Sequence, residues 1–312
     1  MLAYIVQRLL YLIPVFLVVS LLTYSLSKLA PGDPAEIKLR QTGIEPTLQM
    51  LETTRQQMGL NAPEYVQFLN WLSGVLKGDL GVSFNSGTPV TQEILYRLPA
   101  TFELTFAALI VMITIALPVG VLAAVYKGTW VDNLSRVFAF LGASMPAFWL
   151  GLILMYYLSV KYTIFPVMGR DGIASLVLPA VTLGMGMAAT YTRLLRASIL
   201  EVLGQDYIMA ARARGIRERL VIVNHALKNA LISIVTLLGM SLGFLLGGTV
   251  IVETVFSWPG VGKYAVEAIF NRDYPVIQGY VLWMAVIFVL ANLLVDISYR
   301  FLDPRIRLGR GS

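Results

Sequence analysis

Six uncharged windows, each 19 to 24 residues long and bounded by charged residues, divide this chain. They cover residues 9–27, 104–126, 137–160, 172–192, 229–252 and 274–295. A helix needs about 20 apolar residues to cross the hydrocarbon core of a bilayer, so each window is long enough to span it. The pattern predicts an all-α polytopic membrane protein with six transmembrane helices.

The predicted transmembrane helices and their connections divide the whole chain. With flanking residues, we place the helices at 9–29, 100–126, 137–160, 172–192, 229–252 and 274–296. The longest connections are 30–99 and 193–228, a shorter one is 253–273, and the terminal segments are 1–8 and 297–312.

Composition supports this interpretation. Hydrophobic residues make up 57% of the chain, charged residues 13%, and the mean hydropathy is +0.73. Soluble domains carry about 25% charged and about 45–50% apolar residues. The chain has no cysteine, which excludes disulfides, cysteine nucleophiles and thiolate metal sites.

Basic residues concentrate in alternate connections. If both termini are cytoplasmic, the cytoplasmic loops and tails carry 14 of the 24 Lys and Arg residues, and the short external loops carry four. This bias predicts cytoplasmic termini, an external segment at 30–99 and a second external segment at 253–273. The net charge of +6 is then a topology signal, and we expect no nucleic-acid partner.

The external segment 30–99 opens with two prolines and predicts two short helices resting on the outer membrane face. Two roles remain open for it, a structural plug and a docking surface for an external partner.

The cytoplasmic loop 193–228 is longer than topology requires and is rich in arginine. Within it, Met209–Arg214 favour a helix, and Gly215 is placed to end that helix. The alanines Ala210 and Ala211 permit close approach of a partner, and arginines supply hydrogen-bond donors to it.

Here the sequence resembles a known family. Ala210-Ala211-x-x-x-Gly215 is similar to the EAA motif of the membrane permease subunits of binding-protein-dependent ABC importers, with Met209 in place of the motif's first Glu. The segments 225–231, 252–262 and 271–278, together with Pro31-Gly32-Asp33-Pro34 and 303–307, resemble the peptide/nickel (dipeptide, oligopeptide and nickel permease) branch. The resemblance covers essentially the whole chain.

The resemblance implies a coupling helix that docks on a cytoplasmic ATPase. Its residues would be Asp206, Tyr207, Met209, Ala210, Ala211, Arg212, Ala213, Arg214 and Gly215. The implied partners are a second homologous permease subunit, two ATPase subunits, an external solute-binding protein and the lipid bilayer of a bacterial or archaeal cytoplasmic membrane. This chain would not be an enzyme: ATP and Mg²⁺ would be held by the ATPase subunits, and we expect no cofactor or metal on this chain. Its one Gly-Lys pair, Gly262-Lys263, lacks the rest of a P-loop.

Small residues and one carboxylate in and beside the fifth window are further candidates. Gly239, Gly243 and Gly247 recur every four residues, a spacing that lets helices approach closely in lipid. Internal packing and a pathway or subunit interface both fit this pattern. Glu253 follows the window, where a functional role and a helix-end position are equally open. Glu103 is expected at the start of the second transmembrane helix, where a carboxylate favours the helix N-terminus.

The cargo is predicted as a nickel complex or a short peptide, with nickel slightly favoured by the resemblance. The single histidine, His225, lies on the cytoplasmic face, so a nickel cargo would pass as a chelate. The alternative functions are a stand-alone secondary transporter of a small polar solute and an intramembrane enzyme. The first predicts inverted repeats and mid-membrane carboxylates, and the second needs a convergent acid/base or nucleophile set. The sequence shows neither.

Overall fold

The computed structural model describes residues 2–29, 32–41 and 45–302; side chains at 2–9, 41, 232, 233, 236, 239–244, 246–248 and 294–302 fall outside that description. Within it the chain is helical, with one antiparallel bridge between Val82 and Pro89. The α-helices in chain order are α1 Leu2–Leu29, α2 Pro34–Gln41, α3 Leu48–Gln57, α4 Glu64–Leu76, α5 Val90–Val125, α6 Trp130–Ser144, α7 Ala147–Leu154, α8 Ile173–Leu203, α9 Asp206–Ala213, α10 Glu218–Leu220, α11 Lys228–Val255, α12 Val261–Phe270 and α13 Tyr274–Leu302. Two π-helical segments, Met155–Lys161 and Val221–Leu227, continue α7 and α10.

Four helices among the described residues are long and apolar enough to cross a membrane. They are Leu10–Leu29 of α1, α5, α8 and Tyr274–Leu293 of α13. A bent pair of helices gives a fifth candidate. The 28-residue α11 encloses the fifth window, but many of its side chains fall outside the description. The all-α polytopic fold is confirmed, and the number of six spans stays a prediction.

The third predicted span, 137–160, contains a sharp break. Helix α6 ends at Ser144, the chain restarts as Ala147–Lys161, and the two pieces are bent by 103°. Met145 between them is extended, with φ −86° and ψ 122°. Pro146 explains the break, because proline lacks an N–H donor and disfavours helical geometry in the residue before it.

Two helices extend beyond the predicted spans. Helix α5 begins at Val90, ten residues before the predicted start, and there Arg97 pairs with Glu93 one turn earlier at 3.1 Å. Helix α8 continues to Leu203, so the first third of the predicted loop 193–228 is helical. Charged residues mark where a window ends, but a helix can continue into water when other groups partner its surface.

The chain forms two compact units. The first comprises Met1–Ala100 and Pro259–Leu290. It contains three short helices, α2, α3 and α4, where the sequence predicted two. Its core includes Val90, Ile94 and Leu282. The buried carboxylate of Asp273 accepts hydrogen bonds from the Ser83 hydroxyl at 2.5 Å and from the backbone N–H groups of residues 84 and 85 at 3.0 and 3.2 Å.

The second unit comprises Thr101–Trp258 and Ala291–Ser312. Helix α8 lies at its centre and packs against α6, α7 and α11. Glycine permits close approach here: a Cβ atom on Gly184 would lie 2.7 Å from the Ala108 carbonyl oxygen. Any larger residue at position 184 would therefore push α8 away from α5.

Candidate functional site

The predicted coupling segment forms a short helix with a well-defined end. Helix α9 starts at Asp206, whose carboxylate in the first turn suits the positive end of the helix dipole. Gly215 has φ +76°; its N–H donates to the Arg212 carbonyl at 2.9 Å, and the Ile216 N–H donates to the Ala211 carbonyl at 3.3 Å. This pair of bonds is the Schellman motif, so the prediction that Gly215 ends the helix is confirmed.

One face of α9 is anchored inside the chain. Ile208 is fully buried, Ala211 is 8% exposed, and both pack with the buried Val221. Val202 and Leu203, at the end of α8, pack against the same cluster. Helix α9 is therefore attached to the end of the central helix of its unit.

The opposite face of α9 is open. Tyr207 and Met209 are 45% and 56% exposed, and Ala210, Ala213 and Arg214 are exposed beside them. The two alanines of the motif thus differ in their roles. Ala210 lies on the open face, where a partner surface could approach it, whereas Ala211 packs inside the chain. Sequence reasoning treated them alike.

Two polar contacts link α9 to the segment after it. Arg212 donates to both carboxylate oxygens of Glu218, at 3.1 and 2.6 Å, across the turn at Gly215. The Arg212 hydrogen bonds, and with them its charge, hold the pKa of the Glu218 carboxyl below its ordinary value. The Asn229 side-chain amide donates to the Tyr207 hydroxyl at 2.9 Å.

An ion pair between α8 and α6 was missed by sequence reasoning. Arg196 of α8 donates to the two carboxylate oxygens of Asp132 in α6, at 2.6 and 2.9 Å. The Gly128 N–H donates to the same carboxylate at 2.9 Å, and Asp132 is 1% exposed. Arg196 was counted only as one of the 14 basic residues predicted to be cytoplasmic. The available signal was Asp132 itself, an acidic residue in a short connection that is otherwise basic.

Glu253 is buried, and a neighbouring helix supplies one of its partners. It is 0% exposed and accepts a hydrogen bond from the Thr101 hydroxyl at 2.7 Å. Glu103 lies well inside α5 and pairs with Arg170 at 2.6 Å, so its predicted position at the helix N-terminus is wrong. The reason is the earlier start of α5.

The remaining candidates are not gathered with α9. Gly239, Gly243 and Gly247 lie within α11, and their surroundings fall outside the described residues. His225 lies half-buried in the π-helical segment Val221–Leu227. Among the residues that the structure describes, no three of His, Asp or Glu are grouped to hold a metal ion.

Comparisons with known proteins give the family. Residues 116–308 match "Binding-protein-dependent transport system inner membrane component", and residues 1–105 match the corresponding N-terminal family, "Binding-prot-dependent transport system membrane comp, N-term". The glutathione transport system permease protein GsiC of Pectobacterium atrosepticum is 44% identical over 307 residues, which cover 98% of this chain and 99% of the relative. GsiC of Escherichia coli strain K12 is 42% identical with the same coverage.

Solved structures show the same fold. An inward-facing structure of the MetNI methionine ABC transporter matches with a TM-score of 0.57 at 22% identity, over 67% of this chain and 96% of that one. An amino acid ABC transporter solved with histidines matches with a TM-score of 0.56 at 16% identity, over 67% and 94%.

These matches decide against a stand-alone secondary transporter and an intramembrane enzyme. A permease of this type is not the ATPase, and it works with ATPase and binding-protein partners. The chain belongs to the inner membrane components of binding-protein-dependent transport systems, as a multi-pass permease subunit of an ABC importer of the peptide/nickel branch.

Proposed function

We propose that this chain and a second homologous permease subunit form the translocation pathway for a short peptide. An external binding protein delivers the peptide, and two cytoplasmic ATPase subunits drive its passage. Both termini lie in the cytoplasm in this proposal, as the bias of basic residues predicts, so α9 faces the ATPase subunits.

A peptide is a better-supported cargo than nickel. The relatives that match nearly the whole chain are named for glutathione transport, and glutathione is a tripeptide. The one histidine is half-buried on the segment that follows α9, and the described residues offer no group of metal ligands. We therefore propose glutathione or a peptide of similar size as the cargo.

The division of α9 into two faces carries the proposal for coupling. The open face presents Tyr207 and Met209 beside the small Ala210, and aromatic residues and methionine are enriched where proteins bind one another. The anchored face joins the end of α8 through Ile208 and Ala211. A partner that binds the open face differently in its ATP states would therefore bias the position of α8.

The Asp132–Arg196 ion pair extends this connection. Arg196 lies about two turns before Leu203, the end of α8, and it binds α6 through Asp132. Displacement of the end of α8 would be passed to α6 because a buried, doubly hydrogen-bonded pair resists separation.

A single substitution on the open face tests the proposal. Ala210→Trp adds a large ring where the structure leaves space, so the protein should insert and remain folded. Its complex, reconstituted with ATPase subunits and binding protein in vesicles, should lose glutathione-stimulated ATP hydrolysis and uptake of radiolabelled glutathione. The control is Ala174→Trp, an exposed alanine in the first turn of α8, which should leave both unchanged.

Two results would contradict parts of this proposal. Full stimulation and co-purification of ATPase subunits in Ala210→Trp would show that α9 is not the coupling helix. Uptake of a nickel chelate without uptake of glutathione by the wild-type complex would show that the cargo assignment is wrong.

A further inference from the structure

An open cavity of about 430 Å³ lies within the unit formed by Met1–Ala100 and Pro259–Leu290. It is lined by the end of α1, the start of α2, α4, the segment 81–84 and the start of α13. Its volume falls in the range of small-molecule sites, about 300–1,000 Å³. Neither α9 nor the Asp132–Arg196 pair lines it.

The charged residues that line the cavity are both basic. Lys28 and Lys38 line it, and none of its lining residues is acidic. The Lys28 ammonium donates to the neutral side-chain oxygen of Gln67 at 2.6 Å. Among the described residues no carboxylate pairs with either lysine, and the nearby Asp33 is engaged by Arg55 at 2.7 Å. Two ammonium groups without a counter-charge suit an anionic ligand.

Two further lining residues carry donors without acceptors. The indole N–H of Trp71 and the hydroxyl of Tyr274 are buried and, within the described part of the chain, have no hydrogen-bond partner. Tyr274 as a whole is 8% exposed. Both donor atoms are closed to solvent, so these two residues line the cavity with the rest of their side chains.

The remaining wall is aromatic. The rings of Tyr24 and Trp71, which both line the cavity, lie 5.9 Å apart. Such a wall packs against apolar parts of a ligand while the lysines take its acceptor atoms. The combination matches a small molecule that carries carboxylates on an apolar and amide framework.

We propose that this cavity binds a peptide-sized carboxylate, the chemical class of the proposed cargo, before it enters the membrane-spanning part of the transporter. The inference rests on the proposed function for the side of the membrane and for the choice of ligand. The cavity then acts as a holding site on the external part of the permease itself, additional to the site on the binding protein.

The test is direct binding in the absence of the binding protein. The purified transporter complex, in nanodiscs of uncharged phosphatidylcholine so that the lipid headgroups do not compete, is titrated with reduced glutathione by isothermal titration calorimetry. Glutathione diethyl ester, in which both carboxylates are blocked, is the second probe. We expect glutathione to bind with an affinity that falls as salt rises, and the ester not to bind.

Substitutions assign the binding to the cavity. Lys28→Gln combined with Lys38→Gln changes two exposed side chains, so the protein should fold, and the affinity should fall about tenfold or more. Lys77→Gln, an exposed lysine at the end of α4 that does not line the cavity, should leave the affinity unchanged.

The outcomes separate this inference from the proposed function. If the complete transporter imports glutathione but the complex without binding protein does not bind it, the cavity proposal is wrong and the proposed function stands. Equal affinity in the double lysine variant, or equal binding of the ester, would also overturn it. If glutathione binds in a lysine-dependent way but is not imported, the cavity is confirmed as a carboxylate site and the cargo assignment fails.

Discussion

Arg196 and Asp132 join α8 to α6 through two hydrogen bonds of 2.6 and 2.9 Å, and the carboxylate that accepts them is 1% exposed. The planar guanidinium matches the two carboxylate oxygens, and the Gly128 N–H supplies a third donor. Without Asp132, the Arg196 guanidinium, which is 23% exposed, would lose its charged partner; without Arg196, the buried carboxylate would keep only the exposed Arg136, 3.6 Å away.

Asp132→Asn should therefore destabilise the protein. We expect a loss of about 1–3 kcal/mol, because Arg196 loses a charged hydrogen-bond partner but remains partly exposed to water. The measurement is the apparent Tm of the purified protein in detergent, followed by fluorescence-detected size exclusion after heating. The control is Arg136→Gln: Arg136 lies 3.6 Å from the same carboxylate but is 56% exposed, so its loss should change stability by about 1 kcal/mol or less. Similar Tm values for the two variants would show that burial does not strengthen the Arg196 pair.

Thr101→Val should expose the role of the buried Glu253 carboxylate. The substitution preserves the shape of the side chain and removes the hydroxyl that donates to Glu253 at 2.7 Å. We expect a loss of about 1–3 kcal/mol, because a buried carboxylate loses a donor. Thr114→Val is the matched control on the same helix: its hydroxyl is exposed and bonds the Ile110 carbonyl, so the change in Tm should be small. An equal effect of both would indicate that only the shared valine substitution matters.

The helical, membrane-spanning character of the fold could be predicted from the sequence, because the length of an apolar stretch is a local property. The end of α9 could also be predicted, because only a residue tolerant of positive φ fits at Gly215. Pro146 within the third window predicted a kink but not a break of 103°, since proline is accepted within other helices of this chain, at Pro14 and Pro179. Whether a proline bends or breaks a helix depends on its neighbours in space.

The candidate site, too, could be predicted only in part. Its residue range followed from the motif, but the motif did not show which face of α9 is buried and which is exposed. Ala210 and Ala211 are adjacent and identical in type, but only Ala211 is buried. It is buried because it packs with Val221, which lies ten residues later in the chain. The Asp132–Arg196 pair spans 64 positions, and no local pattern connects two such residues.

The Arg212–Glu218 pair predicts that the local stability of α9 depends weakly on pH. The pKa of Glu218 is lowered in the folded state, so its contribution to stability is present above the ordinary Glu pKa, about 4.3, and is lost as pH falls through the lowered value. Since both side chains are about half exposed, the contribution should be below about 1 kcal/mol. Hydrogen exchange of the α9 amides, compared between about pH 7 and pH 3 after correction for intrinsic rates, measures it.

Glu218→Gln should remove this pH dependence, because the amide has no charge to lose. Glu201→Gln, an exposed glutamate in the last turn of α8, should retain it. Equal acid sensitivity of α9 in the wild type and in Glu218→Gln would assign the effect to another group.

The proposed orientation predicts the reactivity of introduced thiols. Because the chain has no cysteine, single substitutions give no background. Thr53→Cys in α3 and Thr129→Cys before α6 replace exposed threonines in segments predicted to lie on opposite sides. An impermeant maleimide should label position 53 in intact spheroplasts and position 129 only after lysis. The reverse pattern would invert the topology and would place α9 outside.

Gly215→Ala should weaken coupling without a steric clash. A Cβ atom at Gly215 would meet nothing within 4 Å, so the effect comes from the backbone, where φ +76° costs an alanine about 1 kcal/mol or more. The strain should loosen the turn that holds α9 and allow its end to fray. We expect reduced glutathione-stimulated ATP hydrolysis in vesicles, with near-normal membrane insertion and faster hydrogen exchange confined to α9 and the following turn.

The matched control is Gly204→Ala, at the end of α8. Gly204 has φ −84°, which alanine adopts without strain, and its Cβ would lie at an ordinary contact distance of 3.5 Å from the Glu201 carbonyl oxygen. This variant should therefore couple as the wild type does. If Gly204→Ala reduced stimulation as much as Gly215→Ala, the loss would reflect the flexibility of the whole loop. If Gly215→Ala coupled normally while its α9 amides exchanged faster, the rigid end of α9 would not be needed to transmit the ATPase state.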